Sequence, residues 1–112
     1  MNYDVKTTIP VQAATAVTAT GNSPVFVLPS ANGVLEVLVN VSAISGTSPS
    51  LTPTLQVSND GANWFTAASG SAMTSVSTQR LACQTLCGYA RVAFAVSGTT
   101  PSLTTSLMAL AN

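Results

Sequence analysis

The chain has 112 residues with three acids, three bases and no histidine, and only 5% of it is charged, against roughly a quarter in ordinary soluble domains. Three scattered bases cannot neutralise a run of phosphates, and there is no basic patch or amphipathic helix to hold a membrane surface. At 46% hydrophobic the chain can fill one core, and its length allows one domain rather than two. Thirty Ser and Thr residues stand where charges are missing. Near-zero net charge favours self-association, so a chain that works assembled on something is expected.

Residues 1–10 mix Tyr3, Val5 and Ile9 with polar side chains and stop at Pro10. They read as an N-terminal arm, either frayed or docked on a neighbour, ahead of a domain over residues 11–112. The arm has no apolar signal core, so synthesis and retention in the cytoplasm is the expectation. Residues 11–20 alternate weakly. Gly21-Asn22-Ser23-Pro24 is a turn, and residues 25–28 are expected as a short buried strand ended by Pro29; such apolar runs are far too short to span a bilayer. Asn32-Gly33 supplies the next turn.

From Leu35 the alternation is clean. Leu35, Val37, Val39, Val41 and Ala43 share one face, while Glu36, Leu38, Asn40 and Ser42 share the other. Residues 45–52, Ser-Gly-Thr-Ser-Pro-Ser-Leu-Thr, then return almost unchanged at residues 97–104, Ser-Gly-Thr-Thr-Pro-Ser-Leu-Thr. Each copy sits between alternating apolar runs, which predicts two long β-hairpins of one design. Glycine supplies the positive φ of the reversal, and the proline is expected to hold Ser48 and Thr100 extended. Pro53 lacks a donor, which predicts an edge strand or a bulge. Asn59-Asp60-Gly61 makes another turn, and Trp64-Phe65 opens the next strand. Residues 73–82 are β-prone with uncertain register, and residues 84–88 read as a turn. Nothing reads as a long helix. An antiparallel β-sandwich, jelly-roll or immunoglobulin-like, is the economical all-β architecture.

Chemistry-bearing groups are sparse. Asp4, Glu36 and Asp60 fall in an arm, a strand and a turn, which does not make a hydrolytic pair. Without histidine there is no conventional triad, and Cys83 and Cys87 supply at most two of the four ligands of a zinc site. These cysteines read as free and semi-buried, or as a disulfide in an oxidising medium. No enzyme and no cofactor is expected. Trp64 is either an aromatic platform for a sugar or partner, or a strand-start residue capping the core. If Trp64 and Phe65 both lie in the strand they point to opposite faces, so one should go in. Leu38 is an ordinary exposed leucine or part of a subunit contact.

Taken together, the two Ser-Gly-Thr-x-Pro-Ser copies, the run Leu55-Gln56-Val57-Ser58-Asn59-Asp60-Gly61-Ala62-Asn63-Trp64, and Tyr89-Ala90-Arg91-Val92 resemble the small all-β virion proteins of tailed bacteriophages. The resemblance spans roughly residues 34–107. It implies a structural virion protein, most like a capsid decoration (cement) protein on the phage head surface. Its partners would be the major capsid protein and itself, as a homotrimer or other homo-oligomer. A tail, fibre or neck location stays open, including a fibre module recognising host glycan through Trp64 and the 59–61 turn. The interface candidates are Tyr3, Val5, Ile9, Leu38, Asn59, Asp60, Trp64 and Phe65.

Overall fold

The computed structural model describes residues 7–28 and 33–111, and these are all β. The strands are β1 (Thr7–Val17), β2 (Gly21–Asn22), β3 (Phe26–Val27), β4 (Val34–Ser58), β5 (Phe65–Ser69), β6 (Ser77–Gln84) and β7 (Tyr89–Ala111). Every pairing is antiparallel, and all seven belong to one continuous sheet.

Two strands dominate it. β4 has 25 residues and β7 has 23, and they pair from Leu35↔Ala111 to Ser58↔Tyr89. A straight strand of that length would run roughly 80 Å at about 3.3 Å per residue. The longest dimension of the molecule is 53 Å. Both strands therefore bend midway, and the sheet folds over so that its halves enclose one core. One layer runs β1, the last arm of β7, the first arm of β4, then β6. The other runs β3 and β2, the first arm of β7, the last arm of β4, then β5. The result is a single antiparallel sandwich domain.

The bends are the repeated octapeptides. Gly46 and Ser48 have φ of 106° and 48°, and Gly98 and Thr100 have φ of 115° and 45°. Each copy bends the chain from one layer into the other, but neither is a hairpin. Its arms lie in opposite layers and pair with the arms of the other copy, through Ser45↔Ser102, Thr47↔Thr99 and Ser50↔Ser97. An in-plane hairpin would put both apolar faces on one side of one sheet with nothing opposite, whereas a bend between layers sets them against each other. Nor are Ser48 and Thr100 extended as the sequence suggested. Proline favours extended geometry for the residue before it, so the left-handed φ of Ser48 and Thr100 is imposed by the bend against that local preference.

Burial follows the repeat. Leu51, Pro53, Leu55 and Val57 face inward, as do Leu103, Thr105, Leu107 and Ala109 at the same offset. Ahead of the bend β4 carries one extra residue at the register shift between Val41 and Ala43. Val37, Val39 and Val41 thus correspond to Ala90, Val92 and Phe94, all buried. Beyond that bulge Ala43 is exposed, against the expectation that it continues the core face.

Pro53 also departs from expectation, since it lies in a strand paired on both sides. The outer neighbour is interrupted there. β5 ends at Ser69, an isolated bridge joins Leu51 to Met73, and between them Gly70 N–H donates to the Pro53 carbonyl over 2.8 Å. The donor that proline lacks thus falls at the gap in the outer strand. On the other margin β2 and β3 form a broken edge, completed by hydroxyls. Ser23 Oγ accepts the Val92 N–H at 2.8 Å, and Thr20 Oγ1 accepts the Val96 N–H at 3.0 Å. The buried strand expected over residues 25–28 reduces to two residues there. Phe26 is covered while Val25 and Val27 are exposed, because an edge strand has only one face to bury.

Candidate functional site

Four candidate residues meet where β4 passes into β5, with Asn59, Asp60 and Trp64 in the loop and Phe65 at the head of β5. The frame of the loop is Ser58, fully buried at the end of β4. The Ser58 hydroxyl accepts the Gly61 N–H at 2.8 Å and the Asp60 N–H at 3.3 Å, and donates to Asp60 Oδ1 at 3.0 Å. Asp60 Oδ1 also accepts the N–H groups of Ala62 (2.9 Å) and Asn63 (2.8 Å), while Oδ2 accepts Asn63 Nδ2 at 2.7 Å. Those donors, the Asn63 and Ala62 N–H groups first, hold the Asp60 carboxyl well below the usual carboxylate range. Asp60 is a fixed anion tying the loop together. Gly61, at φ 78°, makes the left-handed step that lets the loop close.

Trp64 precedes β5 and lies against the outer face of the sheet. The Arg91 guanidinium carbon stands 4.2 Å from its ring centroid, and Arg91 Nε donates to Gln56 Oε1 at 2.8 Å. Gln56 and Arg91 are cross-strand partners between β4 and β7, facing away from the core. Trp64 is thus held by a cation on a half-buried platform and does not plug the core. Phe65 pairs with Val57, so it takes the opposite side. It sits at the sandwich margin and stays 60% exposed, so neither aromatic goes fully in. Asn59, Asp60, Ala62, Asn63, Trp64 and Phe65 line an open cleft of about 530 Å³. Chemically it offers an aromatic surface edged by amides, suited to contact rather than to proton transfer.

The remaining candidates lie elsewhere. Leu38 is on the outer face of the other layer, in a row with Met108 and Arg80, and Met108 is 45% exposed. Beside it Arg80 meets Glu36 at 3.5 Å. Ile9 pairs with Ala109 and packs against the core, within a β1 that runs unbroken through Pro10. Tyr3 and Val5 fall outside the described residues. Cys83 and Cys87 are free and half-buried, and burial, then the neighbouring Cys87, pushes the Cys83 thiol up. Among the described residues no three of His, Cys, Asp or Glu gather, and no helix is long and apolar enough to cross a membrane. Sequence reasoning missed Arg91 and Gln56. Their contact exists only because β4 pairs with β7, which the hairpin reading hid.

No family model matches the chain, and no curated protein matches it either. Among solved structures it is similar to the SPBc2 prophage-derived protein YomS, with a TM-score of 0.53 and 18% identity over 99% of this chain and 97% of that one. A chain from the structure of infectious bursal disease virus, Gx strain, aligns at a TM-score of 0.42 and 13% identity, over 96% of this chain and 33% of its own length. The first likeness shows a shared fold.

Proposed function

We propose that the chain is a structural protein of a phage particle, a decoration protein that binds the assembled head and stabilises it. The observation that supports this most is the fold shared with a prophage-derived protein over nearly the full length of both chains. The surface is consistent with it. A charge-poor exterior rich in hydroxyls suits contact through apolar area and neutral hydrogen bonds, which salt hardly weakens. Partly exposed Trp64, Phe65, Leu38 and Met108 are available as apolar contacts. The partners are the major capsid protein and further copies of this chain, and binding only the assembled shell stabilises it by linkage. An oligomer touching several capsid subunits adds avidity. Deleting the gene should leave particles that survive gentle handling but release DNA on heating or osmotic shock. Particles of unchanged thermal stability would refute the proposal.

A second reading is a tail or fibre module that binds host glycan, favoured by the open cleft beside Trp64. The Asp60 oxygens are already engaged within the loop, so recognition would fall to Trp64, Asn59 and Asn63. Glycan binding abolished by Trp64→Ala would support it, and an empty screen would dismiss it.

A further inference from the structure

The described strands divide into two units of three successive parts. The first unit holds β1, the broken edge β2 and β3, and β4; the second holds β5, β6 and β7. β1 and β5 play the same part, each pairing with the last arm of the other unit's long strand. The edge of β2 and β3 corresponds to β6, each pairing with the first arm of the other unit's long strand. The long strands pair with each other about Thr47↔Thr99, which are equivalent positions in the repeat. The bends interlock reciprocally as well. A Cβ on Gly46 would stand 2.6 Å from the Thr100 carbonyl oxygen, and one on Gly98 would stand 2.7 Å from that of Ser48.

One consequence is topological. Every strand pairing in the sheet, and the Leu51↔Met73 bridge, joins one unit to the other. No described strand pairs within its own unit. Each unit taken alone would leave all its ladder groups unpaired and its apolar faces bare. The units form what would be a two-fold dimer, made one molecule by the six residues between Ser58 and Phe65. On the other side Thr7 lies opposite Ala111 as Phe65 lies opposite Val57, so the two units meet there in the equivalent way.

We propose that this chain is a fused dimer whose units are interchangeable, so that the partner its fold fits is a second copy of itself, unit one of each copy closing on unit two of the other. Such exchange makes no new interface, since it reuses the full set of native ladders between chains. It supplies a route to homo-oligomers that holds whatever surface the protein binds.

The test uses the chain with residues 59–64 deleted, which leaves Ser58 alone between the paired Val57 and Phe65, fewer than the two residues a hairpin loop needs, so that β5 cannot fold back beside β4. It also carries Asn40→Cys and Thr78→Cys, whose native side chains meet at 2.8 Å across the two units, together with Cys83→Ser and Cys87→Ser. The shortened protein should elute at twice the monomer mass and, once oxidised, run as a covalent dimer on a denaturing gel. The same cysteine pair in a chain of native loop length should give a covalent monomer at low concentration. A shortened chain that folds as a monomer with its bond internal overturns the proposal. Should the shortened chain not fold, a circular permutant decides, with Asn112 joined to Met1 and the chain opened between Gly61 and Ala62. Cooperative unfolding supports equivalent gaps between two units, and failure to fold refutes them.

Discussion

Gly46 and Gly98 carry the sharpest local demand in the chain. Each combines a left-handed φ with a carbonyl oxygen where a Cβ would go. Alanine at either position should cost about 2–5 kcal/mol, adding left-handed strain to overpacking. Gly61 has the positive φ but open space around it, so Gly61→Ala should cost only about 1–2 kcal/mol. Urea titration of the three variants checks the ranking, and the repeat predicts near-equal values for the first two. Thr100 presents the opposite case, a β-branched residue held at φ 45°. Thr100→Gly relieves about 1–2 kcal/mol of strain and loses about 0.5–1 to chain entropy, so it should raise stability slightly. Asp60 sets a pH dependence. Its folded pKa is depressed, so its contribution is complete above the unfolded value of about 3.9 and disappears as pH falls through the folded one. Acid unfolding of Asp60→Asn should lack that strongly acidic component while matching the native slope from pH 5 to 9.

At the level of elements, β4 and β7 explain both what the sequence disclosed and what it hid. The alternation from Leu35 to Val41 and from Leu51 to Val57 is visible in the residues because each arm has one wet face and one dry face. Which arm pairs with which is not visible. Ser-Gly-Thr-x-Pro-Ser marks a reversal whether the chain returns along the same sheet or crosses to the facing layer, and only the whole core decides between them. The loop after β4 was legible for the same local reason, because Ser58, Asp60 and Asn63 bond within six residues. Arg91, 35 residues from Gln56, was not. Removing the cation by Arg91→Ala should cost about 0.5–2 kcal/mol and free the Trp64 ring. Trp64 is the only tryptophan, so its emission reads the change directly. An unaltered spectrum would show that the stack does not hold the ring in solution.

At the scale of the whole molecule the chain carries no net charge, and among the described residues every strand ladder runs between two similar units. Its surface carries several exposed apolar points for contact, and these, with the shared fold, are the basis for proposing that it is a part of a larger particle. Copy number measured by quantitative mass spectrometry of purified virions, with heads and tails separated, tests that reading most directly. A head decoration protein should be present in many copies in proportion to the major capsid protein and in the head fraction alone. Absence from particles, or a handful of copies confined to the tail fraction, would contradict that reading.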